Sequence, residues 1–222
     1  MKVLWFSVTP SLFHSYSNGH NGGGWIASLE RIVRQVQEVE LGIAFNFAAE
    51  GFVYEQDGVK YYPISHESLE TYKQIIDDFK PDLIQIFGSE NDFGRICDTT
   101  EVPVVIHMQG CLTPCHNALL PVGMSKTDFI LQKGLSLRYR YIGLRSESAF
   151  RKRAKRELQT IGKCRYFMGR TDWDHRLIDL FNPSATYFHC EEALRQSFID
   201  GEEVWTGNGD GTKRVVSIIS RP

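Results

Sequence analysis

Three glycines in a row, Gly22, Gly23 and Gly24, stand just before a strongly helical segment. Glycine loses more backbone freedom on folding than any other residue, so such a cluster needs a reason. The first four N–H groups of a helix lack internal partners, and the helix dipole makes that end positive. A glycine-rich approach lets an anionic oxygen reach those amides with no Cβ in the way. Gly22, Gly23 and Gly24 are therefore expected to line an anion or substrate loop, a tight turn being the plainer reading. The pattern is neither G-x-G-x-x-G nor G-x4-G-K-[ST], which counts against a dinucleotide dehydrogenase and a P-loop enzyme.

Two further stretches carry chemistry. In "VPVVIHMQG" (102–110), Gln109 and Gly110 follow an apolar run. Gln109 can donate to and accept from ligand hydroxyls, but it cannot shuttle a proton at neutral pH. His107 lies two residues earlier, on the same strand face but deeper, and reads as a hydrogen-bonded core histidine. In "GRTDWD" (169–174), Thr171 suits a helix N-cap, and Asp172 and Asp174 suit a first turn. Capping leaves Arg170 unexplained; its planar fork fits phosphate or carboxylate. Arg170, Thr171 and Asp174 are thus taken as substrate contacts, while Trp173 reads as core beside Leu177 and Phe181.

Other features weigh less. "CLTPCH" (111–116) has no second ligand pair at zinc spacing, so no metal is expected. Five scattered cysteines do not suggest a disulfide framework and read as thiols in a reducing cytoplasm. Residues 138–165 hold ten Lys or Arg against Glu147 and Glu157. This run is a solvated helix face, or else it meets an anionic partner such as a membrane surface or an acidic glycan. Nucleic acid is disfavoured, because the cations are not interleaved with aromatics in a known motif. The net charge of −2 shows no global preference for polyanions. No apolar run reaches the length of a transmembrane span.

These residues sit between elements that alternate. "KVLWFSV" (2–8) is a nearly continuous apolar run, as in strands covered on both faces. A helix over 25–37 follows, with Trp25, Ile26, Leu29, Ile32, Val33 and Val36 at helical spacing. Strands are expected over 41–48, 82–88, 102–108, 164–169 and 185–189. A hairpin turns at Asp57-Gly58, and Ser68 caps a helix over 68–79. Periodicity weakens over 110–145, and a helix resumes near Ser146 with Phe150, Ala154, Leu158 and Ile161 as its core stripe. A helix over 171–181 ends at Asn182-Pro183. Alternating strand and helix imply an α/β fold: a Rossmann-like open, mostly parallel sheet with helices on both faces. Ligands of such sheets bind beyond the strands' carboxyl ends, where the loops above lie.

The ordered set resembles the N-terminal domain of a group 1 (family 4) GT-B-fold glycosyltransferase. "KPDLIQIFG" (80–88), "VPVVIHMQG" (102–110) and "GKCRYFMGRTDWDHRLIDLFNP" (162–183) are similar to its successive strand units. "KRVVSIISRP" (213–222) is similar to the strand opening its second domain. The resemblance covers nearly the whole chain and implies one half of a GT-B fold. It divides the sequence into an acceptor-side domain (1–199), a glycine-rich linker (200–212) and the start of a donor-binding domain (213–222). It implies a retaining transferase, with no cofactor and no metal, moving a sugar from a nucleotide-sugar donor to a glycan or lipid-linked acceptor. The donor and the family's acidic pair, Glu-x7-Glu, belong to the second domain. No catalytic residue is therefore assigned here, and this chain alone is expected to be inactive. The expected location is cytoplasmic, with peripheral membrane contact through 138–165. One departure stands out: the family commonly has a His where this chain has Gln109. A nucleotide-sugar epimerase of GT-B-like fold and a non-catalytic Rossmann-like binding module are the rivals.

Overall fold

The computed structural model describes residues 1–13, 24–48, 51–132 and 136–201. The chain opens with β1 (Lys2–Ser7), α1 (Gly24–Val33), β2 (Glu40–Asn46), β3 (Tyr54–Gln56), β4 (Val59–Ile64) and α2 (Leu69–Phe79). After β5 (Leu83–Phe87) comes a 3-10 helix (Asp92–Asp98), then β6 (Val104–His107). Three helices follow: α3 (Leu112–Asn117), α4 (Lys126–Leu131) and α5 (Leu137–Ile161). The described chain closes with β7 (Tyr166–Gly169), α6 (Asp172–Phe181), β8 (Thr186–His189) and α7 (Gln196–Ile199).

The strands form one sheet in the order β3-β4-β2-β1-β5-β6-β7-β8. Every neighbouring pair is parallel except β3–β4. That pair is the expected hairpin. Asp57 and Gly58 both have positive φ, 51° and 77°, and Gln56 registers with Val59. Two such residues make a turn that matches strand twist, and Gly58 adopts its angle without strain.

β1 shows why the sheet is covered on both sides. Leu4 and Phe6 join Tyr62, Tyr72, Phe79, Ile86, Ile106 and Phe167 in one core. Val3 and Trp5 join Ile26, Ile43, Phe45, Tyr61 and Phe87 in the other. Successive side chains on a strand point to opposite faces, so a continuous apolar run feeds two cores. α1 is also fastened by polar bonds. Glu30, fully buried, accepts from the Tyr61 hydroxyl (2.5 Å) and from Leu12 N (3.1 Å), and pairs with Arg34. On α2, Thr71 N donates to Ser68 Oγ at 3.1 Å, so Ser68 is the expected cap.

Several expectations need correction. α1 ends at Val33, not near 37, because the bonds Gln35 N to Ile32 O and Val36 N to Val33 O tighten the chain out of the helix. Ile32 (52%) and Val36 (42%) are consequently exposed. α5 begins at Leu137, nine residues before Ser146. Its first turns hold apolar residues on more than one face, which blurs the period. Further along, Glu157 and Thr160 lie in the interior with Ala154 and Ile161, and Leu158 is exposed. Trp173 is 60% exposed and is not core.

The cysteine reading also changes: Cys97 and Cys164 form a disulfide. It ties the end of the 3-10 helix to the turn before β7 across 67 residues of sequence. Such a bond bears against a reducing compartment. Closing a loop of this length contributes on the order of 2–4 kcal/mol. Reductant, or Cys97→Ser, should therefore lower the urea midpoint by that equivalent. A midpoint indifferent to both would show that the pair is not linked.

Candidate functional site

The connections run to one side of β1 through β2 and β4, then to the other side through β5, β6, β7 and β8. The crossover directions diverge between β1 and β5, where an open α/β sheet places its ligand crevice. The residues at that carboxyl edge are Ser7, Phe87, His107 and Gly169, with the loops after them.

α1 begins at Gly24, with φ +63°. A Cβ there would meet only Arg195 Nη2, at 3.9 Å, so the backbone angle and not crowding calls for glycine. Gly22 and Gly23 lie outside the described residues. Trp25, the next residue, packs its ring 4.9 Å from His107 and 5.4 Å from Phe87. The helix start is thereby held over the carboxyl ends of β5 and β6.

His107 is 1% exposed, between Trp25 and Phe87. Its Nδ1 lies 3.4 Å from Gln85 Nε2, and its Nε2 has no hydrogen-bond partner among the described residues. Burial, and then the charge of Arg170, depress its pKa to about 4, with Asp174 opposing. The ring is therefore neutral at physiological pH. It is a core histidine at the floor of the crevice, with one nitrogen unspent.

Gln109 and Gly110 continue from β6; Gln109 is half-buried and Gly110 exposed, with open space where a Cβ would stand. His107 registers with Met168 at the end of the β6–β7 ladder, so Gln109 and Arg170 stand on the loops that leave these neighbouring strands. Arg170 Nη1 pairs with Glu192 at 2.6 Å, with 47% of its side chain exposed. Thr171 and Asp174 form a capping box on α6. Asp174 N donates to Thr171 Oγ1 (3.2 Å), and Asp174 Oδ2 accepts from Thr171 N (3.2 Å) and Oγ1 (2.7 Å). Capping accounts for both residues. The edge thus gathers Gly24, His107, Gln109, Gly110 and Arg170, with Thr171 and Asp174 supporting Arg170's loop.

Two carboxylates at this edge escaped the sequence reading. Glu157 of α5 is 1% exposed and accepts from Ser89 Oγ (2.7 Å), Leu112 N (2.7 Å), Thr113 N (3.2 Å) and Cys111 Sγ (3.3 Å). It lashes α5 and the start of α3 to the loop after β5. Glu90, in that loop, is raised above the usual carboxylate range, first by burial and then by Glu157. Its Oε2 is buried with no hydrogen-bond partner among the described residues. Gly88 (φ +87°) makes room for it: a Cβ there would stand 2.5 Å from Glu90 Oε2. The only signal in the sequence was position, a carboxylate just after a strand.

A recess of about 560 Å³ lies elsewhere, between α3, α4 and α5. Leu119, Phe129, Tyr139, Ile142 and Phe150 line it, with Glu147 paired to Lys126 and His116. We place the site at the β1/β5 crevice, because this recess is mainly apolar and off the crossover point. Among the described residues no group of three or more His, Cys, Asp or Glu could hold a metal, and no helix is long and apolar enough to cross a membrane.

The architecture is α/β and matches one Rossmann-like half of a GT-B fold. Sucrose-phosphate synthase from Thermosynechococcus elongatus superimposes with a TM-score of 0.53 at 8% identity, over 85% of this chain and 47% of that one. A UDP complex of an Os79 variant from O. sativa gives 0.46 at 8% identity, over 90% and 54%. The chain spans about half the length of these solved structures. No family model and no curated protein sequence matches it.

The depressed pKa of His107 has a pH signature. The unfolded chain takes a proton near pH 6.5 that the folded ring refuses until about pH 4, so stability falls as pH drops through that window. His107 should account for a loss of about 2.5 kcal/mol between pH 7 and about pH 4.5. In urea unfolding, His107→Asn should lose that much less than wild type over the same interval. Equal losses would mean that His107 is solvated.

Proposed function

We propose that this chain is the acceptor-side half of a GT-B glycosyltransferase of the group 1 (family 4) kind. The whole enzyme would move a sugar from a nucleotide-sugar donor to a hydroxyl of a glycan or lipid-linked acceptor, with retention of configuration. The observation that supports this is that α1's start, Gln109-Gly110 and Arg170 all lie on the carboxyl edge of the sheet. The fold and the sequence resemblance both support it. Backbone amides at Gly24, and at Gly22 and Gly23 before it, suit acceptor or phosphate oxygens. Gln109 orients a hydroxyl, and Arg170 offers a charged fork.

The new glycosidic bond forms as the nucleoside diphosphate leaves, and the acceptor hydroxyl must lose its proton. Gln109 cannot take it, and neither can a buried His107 whose pKa is about 4. Glu90, titratable and open to bonding, keeps a GT-B-like epimerase as a second reading. We place the protein on the cytoplasmic face of a membrane, against which the Cys97–Cys164 disulfide weighs.

The division of labour predicts that this chain alone transfers no sugar, and turnover by it with any nucleotide sugar would overturn the reading. In the complete enzyme, Arg170→Ala should cost about 1.5–3 kcal/mol in kcat/KM, the worth of one charged hydrogen bond. Its melting temperature should barely move, because the exposed pair with Glu192 contributes little to stability. Unchanged kcat/KM, or a large fall in melting temperature, would reduce Arg170 to a structural role.

A further inference from the structure

The chain leaves β8 by turning back across the carboxyl edge of the sheet. Cys190 N donates to Gly169 O at 2.9 Å, which keeps the exit of β8 beside that of β7. Among the described residues, 191–194 make no further backbone hydrogen bond. Side chains hold this stretch instead. Glu192 pairs with Arg170, on the loop that leaves β7. Arg195 Nη2 stands 3.9 Å from where a Cβ of Gly24 would be, at the start of α1. Three residues of chain reach at most about 11 Å. Residues 192–195 therefore form a short strap from the end of β7 to the first residue of α1, which Trp25 holds over His107 at the end of β6.

Positive charge gathers along this strap. α1 has no acidic residue in its first turn, so its positive end is not compensated there. Arg195 adds a full charge at that end; it is exposed, with no hydrogen bond or ion pair among the described residues. Arg170 stands at the other end of the strap, where its charge, after burial, helps to hold the pKa of His107 down. Of the acids nearby, Asp174 is taken up by the Thr171 cap, and Glu191 lies against His189 at 2.9 Å. Glu192 is turned to a guanidinium, with its Oε2 2.6 Å from Arg170 Nη1.

We propose that Arg170 and Arg195 bind the carboxylate of an acidic sugar, and that Glu192 holds its place in the free protein. A carboxylate already rests on Arg170, so this is the group that the contact admits. The pair borders solvent, with 47% of the Arg170 side chain and 23% of the Glu192 side chain exposed. Such a pair is weak, so a dissolved carboxylate displaces Glu192 by simple competition. Arg195 and the positive end of α1 then attract the incoming charge. The inference rests on the proposed function in one respect, that the bound sugar is the acceptor; the acceptor would then be a glycan carrying a uronic acid.

The test is an NMR titration of the whole chain with glucuronate and galacturonate, with glucose, galactose and glucose 6-phosphate alongside. At least one uronate should bind about tenfold or more tightly than its neutral counterpart. Arg195→Ala should weaken that uronate by about tenfold and leave the neutral sugars unchanged. Glu192→Gln should tighten it by about two- to fivefold, the worth of the exposed pair it removes. The gain should vanish when Arg170→Ala is added, and Glu191→Gln should change nothing. These side chains lie at the surface, circular dichroism reports folding, and a gain in affinity cannot come from misfolding. No preference for a uronate, or an affinity that Glu192→Gln leaves unchanged or lowers, would overturn the inference. Tighter binding of glucose 6-phosphate than of either uronate would assign the site to a phosphate, and would also overturn it. Uronate binding by a chain whose complete protein transfers no sugar would leave this inference standing while the proposed function fell. Transfer to neutral acceptors without any uronate preference would do the reverse.

Discussion

A single buried carboxylate organises the ligand edge of this protein. Glu157 lies inside the protein and takes its hydrogen bonds from a serine hydroxyl, a thiol and two backbone amides. A buried charge is tolerated only when it is fully bonded, so the groups around it are held in place as firmly as the charge itself. Those groups come from the loop after β5 and the start of α3. Through them, the longest helix is pinned to the loops beyond β5 and β6. Removing the carboxylate would leave buried donors unpaired, at a cost of about 3 kcal/mol.

The crevice depends on that anchoring. Trp25 can cover His107 because the ends of β5 and β6 are fixed, and the beginning of α1 is placed through Trp25. On the other side, the capping box of Thr171 and Asp174 sets the exit from β7 and so the direction of Arg170. His107 is buried and Thr171 and Asp174 cap α6, while Gln109 is half-buried and Gly110 and Arg170 are exposed.

What could be read from the sequence was what short-range physics encodes. The alternating cores of β1, the Asp57-Gly58 turn and the caps at Ser68 and Thr171 each follow from a few adjacent residues. Long-range partners left no such trace. Cys97 and Cys164 looked like two scattered thiols, because nothing local brings them together. Glu157 looked like one more charge in a basic helix, since its donors lie at Ser89 and near Leu112. Trp173 has the spacing of a core residue, yet α6 presents it to solvent. The start of α5 was blurred because its first turns are apolar on the outer side and on the recess side together.

Ligand entry at the β1/β5 carboxyl edge can be mapped residue by residue. The most direct measurement is a residue-resolved NMR titration of the chain with a panel of disaccharides. Amide shifts should gather at Gly24, Trp25, Gln109, Gly110 and Arg170, with smaller changes at Glu90. Shifts confined to the recess between α3, α4 and α5, or to the amino edge of the sheet, would contradict it.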